Sequence, residues 1–305
     1  MGLALMGERQ GPSARLMRAM PWIFVLIWST GFVVARYGMP HSPPLTFLTL
    51  RYALSLVCFG AWIAWARPPW PQDRAQWAHL CVVGMLIHAG YLGGVWAAVK
   101  AGIGAGTVAL LVGLQPVLTA LWLSLYGARR DAHGARVSAV QWLGLALGLG
   151  GLTLVVWHKL GGGEITAWNL ALAVFALFSI TTGTLYQKRF IKPCDVRTAA
   201  AIQLAAAFIV SLPLAWLETE PVVWHSQMIG AMAWSVLALT LGGSSLLYLL
   251  IQRGAATAVT SLMYLVPPCT AALAWLLFGE AFTASMLIGM LLTVCGVGLV
   301  VRNAP

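Results

Sequence analysis

Long apolar runs alternate with short polar clusters along the whole chain. Ten runs, at roughly 21–38, 44–66, 77–98, 103–126, 138–157, 166–187, 198–217, 228–251, 255–278 and 283–301, come close to the length a helix needs to cross a bilayer, about 20 residues. With connections this short, ten spans fill the chain and leave no stretch for a soluble domain of any size. The fold class expected is an all-α integral membrane protein with ten transmembrane helices.

The polar interruptions repeat. WSTGFVVAR at 28–36 and SITTGTLYQK at 179–188 each set a glycine among small hydroxyl residues and a cation five positions on. Gly31 pairs with Gly183 and Arg36 with Lys188, both at an offset of 152. The same offset takes Arg51 to Gln203, Gly90 to Gly242, Trp96 to Tyr248 and Pro116 to Pro268. After Gly127 the register slips to 145, which aligns Gly144 with Gly289 and Gly151 with Gly296. A half of five spans is odd, so the second copy must enter the membrane from the opposite side. The chain therefore divides into a cytoplasmic segment at 1–20, a first five-helix repeat at 21–157 and an inverted second repeat at 166–301. Secondary transporters are often built from such halves, with the substrate site between them.

Composition agrees with immersion in lipid. Only 9% of residues are charged and 60% are hydrophobic, where a soluble domain carries about 25% charged. The net charge of +10 changes the picture only through its placement. With the N-terminus cytoplasmic, fourteen of the eighteen Lys and Arg residues fall on the cytoplasmic side and Arg36, Lys100 and Lys159 on the other. That asymmetry orients membrane proteins, so both termini are expected in the cytoplasm and nucleic acid is excluded as a partner. Arg9, Arg15 and Arg18 before the first run resemble a signal peptide, but no small-residue cleavage site follows, and the run reads as a retained helix. The five cysteines are scattered without metal or CxxC spacing and read as small apolar fillers. Most of the fifteen tryptophans cluster near span ends as interfacial anchors.

The stretch QRGAATAVTSLMYLVPPCTAALAWLLFGEAFTASMLIGMLLTVCGVGLVV closely resembles the C-terminal hallmark of EamA-type carriers in the drug/metabolite transporter superfamily. Its elements are Pro267 and Pro268, Gly279 with Glu280, Ile288 with Gly289, and Gly296 with Val297. GLQPVLTALWLSLYG resembles the first copy of that pattern, with Ala128 where the second copy has Glu280. LIWSTGFVVAR resembles the opening of the family, with Ser29 where glycine is usual, and TFLTLRYALS its second-helix arginine motif, at Arg51. The resemblance implies a ten-helix bacterial inner-membrane exporter of amino acids or related metabolites, with drugs or lipid-like solutes as the alternative. It implies a small-molecule substrate, no cofactor and no bound metal.

Ionisable groups inside a bilayer are costly and invite a functional explanation. All eight acids fall in expected loops or at helix ends, which argues against a cation pump built on a buried carboxylate and for weak pH dependence. His88 is the one histidine deep in a span, with Tyr91 on its face and Thr240 at the equivalent position of the second half. It either bonds a backbone carbonyl or serves the substrate pathway, as a ligand or a proton relay. Arg51 snorkels to the interface, supports a helix junction or meets a substrate carboxylate. Gln115 before Pro116, and Ser261 and Tyr264 before Pro268, suit a polar pathway or plain helix packing. Trp28, Tyr186 and Tyr248 are candidates for an aromatic wall, and Ser29 and Thr182 for hydroxyl contacts beside Gly31 and Gly183. Gly144, Gly148 and Gly151 of span 5 match Gly289 and Gly296 of span 10 as close-packing positions. These spans are assigned to scaffold or subunit contacts, with a homodimer as the candidate assembly. An intramembrane enzyme would want paired acids or metal ligands, and a receptor a soluble signalling domain. Neither pattern is present.

Overall fold

The computed structural model describes residues 14–119, 122, 139–160, 163–243, 245–246, 265–280 and 283–302. Among these the protein is all-α. Its helices are α1 (Ala14–Gly38), α2 (Pro44–Ala66), α3 (Arg74–Lys100), α4 (Ala105–Thr119), α5 (Ala139–Leu160), α6 (Ala167–Phe190), α7 (Val196–Ala215), α8 (Ser226–Gly242), α9 (Val266–Phe278) and α10 (Ala284–Arg302). Helices α2, α3, α6 and α7, and α1 over Ala19–Gly38, are long and apolar enough to cross a membrane, and α4, α5 over Trp142–Trp157, α8, α9 and α10 over Ala284–Leu299 are shorter apolar helices. The outer surface is that of a multi-span membrane protein: Trp65, Trp157 and Trp216 are each more than three-quarters exposed.

Local sequence sets the ends. Pro43 and Pro44 open α2 at positions where a missing N–H costs nothing. Thr166 and Asn169 exchange side-chain and backbone bonds in a capping box at the start of α6. Asp195 accepts from the Arg197 N–H at the start of α7 and holds the Arg197 guanidinium through both carboxylate oxygens. Those bonds hold the Asp195 carboxyl below the usual range, with burial opposing them.

Two features differ from the sequence reading. Helix α1 begins at Ala14 rather than near 21, because helical hydrogen bonding does not require apolar side chains at a helix end. In the second half, Pro267 and Pro268 stand in the first turn of α9, not mid-helix, where proline displaces no intrahelical bond. Pro116 lies in α4 just past a turn at Gly113 and Leu114.

Helices α5 and α10 touch backbone to backbone. A Cβ on Gly296 would lie 2.4 Å from the Gly144 oxygen, and one on Gly151 2.4 Å from the Gly289 oxygen. Glycines three or four apart permit this approach in a membrane.

Helices α3 and α8 each contain a wide turn. Gly84–Leu92 of α3 and Ser235–Gly242 of α8 are π-helical, a conformation that is rare and concentrated at functional sites. The extra residue frees carbonyls, and side chains take them up. Tyr52 Oη donates to His88 O (2.6 Å), Ser179 Oγ to Leu86 O (2.8 Å) and Thr240 Oγ1 to Ser235 O (2.8 Å).

Candidate substrate cavity

A cavity of about 720 Å³ runs between α1, α3, α4, α6, α7, α8, α9 and α10. Its apolar wall includes Trp28, Phe32, Ile87, Val112, Ile180 and Val266. Its polar groups are His88, Tyr91, Gln115, Thr184, Gln187, Gln203, Thr240 and Thr293, with Lys188 and Lys192 at the α6–α7 connection. A volume of this size suits a small organic solute.

At the deep end two side-chain pairs, one of them hydrogen-bonded, cross between the halves of the chain. Arg51 of α2 donates through Nε (3.2 Å) and Nη2 (3.1 Å) to Thr240 Oγ1 in the π segment of α8. Gln203 of α7 stands beside the His88 ring in the π segment of α3, and both line the cavity. The two pairs are related by the offset of 152, which takes 51 to 203 and 88 to 240. The opening glycines obey the same rule. A Cβ on Gly31 would meet Leu239 at 3.8 Å and one on Gly183 would meet Ile87 at 2.7 Å, and 87 and 239 also differ by 152. Each half thus lays its first two helices against the wide turn of the other.

The opposite end is closed by carboxylates on helix N-termini. Glu218, from the α7–α8 connection, accepts from Leu45 N (2.9 Å), Thr46 N (2.7 Å) and Thr46 Oγ1 (2.8 Å) at the start of α2. Glu280, after α9, accepts from Ala105 N (3.0 Å) and Gly106 N (3.4 Å) at the start of α4. Glu164 accepts from Gly104 N (2.9 Å) and Lys159 Nζ (2.8 Å), and Lys159 also reaches Thr107 Oγ1 (2.6 Å). Lys100 pairs with Glu220 at 2.6 Å. The orphan N–H groups of a helix start and its dipole both favour an anion there. All but the local Lys159–Glu164 pair join segments distant in sequence, so together they latch this end.

Of the residues singled out in the sequence, Trp28, His88, Tyr91, Gln115, Pro116 and Thr240 line the cavity. Arg51 stands behind Thr240 and is only 7% exposed, so it does not snorkel to the interface. Ser29 is buried instead in the α1–α9 contact, where its Oγ donates to Val25 O and its carbonyl accepts from Thr270. Thr182 is exposed on the outer face of α6. Tyr186 lies beside the cavity, bonded to His79 Nδ1 at 2.8 Å. Gly31 and Gly183 are packing positions, and Pro268 is in the first turn of α9. Tyr248, Ser261 and Tyr264 lie outside the described residues. Helix α10, assigned to scaffold, contributes Thr293, Val294 and Val297 to the wall as well as packing on α5. Cys194, read as a filler, lines the mouth and accepts from Gln76 Nε2. The sequence reading passed over Thr184, which accepts from Gln115 Nε2 at 2.8 Å, and used Gln203 only as the counterpart of Arg51.

The EamA-like transporter family matches residues 19–157 and, a second time, 167–302. The chain belongs to the EamA-like transporter family. A curated relative from Salmonella typhimurium, described as a "probable amino-acid metabolite efflux pump", is 27% identical over 284 residues, covering 90% of this chain and 91% of its own. A protein of the same description from Escherichia coli is 25% identical over 284 residues, with the same coverage of both chains. The Escherichia coli inner membrane transporter YedA, uncharacterized, is 24% identical over 82% of this chain and 74% of its own. A solved crystal structure aligns over 93% of this chain and 97% of its own with a TM-score of 0.63 and 18% identity. That likeness concerns the fold alone. The transporter is accordingly a multi-pass membrane protein that moves small molecules, and the enzyme reading falls with the family assignment.

Proposed function

We propose that the transporter exports small metabolites, amino acids foremost, across a bacterial inner membrane by alternating access of two inverted five-helix halves. The observation that carries this reading is the cavity reached from the α6–α7 end and latched at the other by Glu164, Glu218 and Glu280. The basic loops assign the α6–α7 end and both termini to the cytoplasm. In that orientation the molecule is caught open to the cytoplasm, ready to load a solute for export. The crosswise pairs Arg51–Thr240 and Gln203–His88, and the twofold match to the family, support two equivalent halves that rock about a central site. The relatives described as amino-acid metabolite efflux pumps support the substrate class and the direction, and YedA supports the inner membrane.

Among the described residues no carboxylate lines the cavity, so transport is facilitative and indifferent to a pH gradient. Counterflow of a labelled amino-acid panel into proteoliposomes tests this. A few species are expected to exchange saturably, with rates that an imposed pH gradient changes less than about twofold. Failure of the whole panel would contradict the amino-acid assignment. Concentrative uptake abolished by collapsing the gradient would contradict the facilitative mechanism and point to His88.

A further inference from the structure

We propose that Arg51 reads a carboxylate on the transported solute, which takes the place of Thr240 against the guanidinium. The proposal deepens the export reading and rests on it. Arg51 is more than nine-tenths buried in α2 and has no carboxylate partner among the described residues. A buried charge without a partner is costly, and such residues in membrane spans mark substrate pathways. Its compensation among the described residues is thin. One hydroxyl oxygen receives both Nε and Nη2, and the Trp96 ring lies 5.7 Å below the guanidinium. A guanidinium carries five N–H donors in a planar fork, so among the described residues most of its capacity is unused. The Trp96 Nε1 donor is buried and also has no partner among the described residues.

A carboxylate supplies what the site lacks, two anionic oxygens in the geometry of that fork. Thr240 is the part of the cavity wall that stands between the solute and Arg51. When it yields, its hydroxyl keeps donating to Ser235 O, so the π segment of α8 loses no bond. The equivalent position in the other half is the neutral Gln203, which stands beside His88. The charge is therefore present once, and the transporter takes one anionic group per cycle. Lys188 and Lys192 at the mouth draw anions toward the cavity. The site accepts carboxylates, zwitterions included, and discriminates against their amides and against amines.

The test compares L-leucine with its amide, L-leucinamide, and 4-methylpentanoate with 3-methylbutylamine, an amine that carries the same 3-methylbutyl group. Thermal stabilisation of the purified full-length transporter is measured at increasing concentrations of each. The acids are expected to bind about tenfold or more tightly than their uncharged or cationic counterparts. Arg51→Gln installs the side chain already used at the equivalent position of the other half, so the fold is expected to hold while the acid preference collapses to about twofold or less. Arg51→Lys keeps the charge but not the fork and is expected to retain part of the preference. Equal stabilisation by acid and amide, no stabilisation by either acid, or a preference that survives Arg51→Gln would each overturn the proposal. Counterflow in the same preparation reports on export separately. Acid-selective binding without any transport would count against the exporter reading and leave the role of Arg51 standing.

Discussion

Replacing Glu280 by Gln is expected to raise outward exposure of the cavity about tenfold. In the observed state the Glu280 carboxylate spans Ala105 N and Gly106 N, tying the α9–α10 connection to the first turn of α4. Hydrogen bonds to a charged group contribute about 1.5–3 kcal/mol when well shielded. Glu280 is only partly buried, so solvent screening lowers this toward about 1–2 kcal/mol. Glutamine keeps the shape but loses the charge and offers one acceptor oxygen in place of two. The latch must break for the cavity to open at this end, so its weakening acts on the closed state alone. About 1.4 kcal/mol is a factor of ten in the equilibrium. The rate at which an impermeant thiol reagent reaches a single cysteine placed at Thr184, in a cysteine-free background, measures this from outside. An unchanged rate would remove Glu280 from the latch. Gly104 explains why the latch is tight, since a Cβ there would lie 2.7 Å from both Glu164 Oε1 and Glu280 Oε2.

Gly84→Val is expected to lower the melting temperature by several degrees and to abolish transport. A Cβ at residue 84 would fall 2.2 Å from the Gln203 oxygen and 2.7 Å from its Cα. Both are backbone atoms, which cannot swing aside as a side chain would. The wide turn of α3 must then move off α7, at a cost of about 1–3 kcal/mol for overpacking. The same movement separates His88 from Gln203 and with it one of the two crosswise pairs. Gly60→Ala is the control. Its Cβ would meet nothing within 4 Å on the exposed face of α2, and neither stability nor transport is expected to change. Equal behaviour of the two variants would show that the α3–α7 contact is not strained in this way.

The apolar runs were legible because spanning a bilayer imposes a length and a composition that loops do not share. The offset of 152 was legible because a repeated backbone contact keeps its glycine, as Gly31 and Gly183 do. What stayed hidden is which half each residue faces. The sequence pairs Arg51 with Gln203 as counterparts, but the two side chains reach Thr240 and His88 of the opposite halves, and only the packing of α2 on α8 and of α7 on α3 reveals it. The wide turns were equally hidden, because π and α backbones differ little in dihedral angle and leave no distinct residue pattern. Thr182 and Thr184 make the limit concrete. Two positions apart on one helix they point to different sides, and choosing Thr184 as the wall residue requires knowing where the cavity lies. The capping acids were read only as residues at helix ends, since each serves the start of a helix remote in sequence.

Alternating access requires that one cavity be exposed to the two sides of the membrane in turn. It is tested most directly with a single cysteine at Ala200, on the cavity wall in α7, in vesicles of known orientation. Impermeant thiol reagent is expected to label it from the side that carries the α6–α7 connection when no solute is present. Labelling from the other side is expected to appear only when a transported solute is supplied. Labelling from both sides at once without solute would indicate an open channel, and labelling from one side under every condition would mean that the latched end does not open, and either result would contradict alternating access.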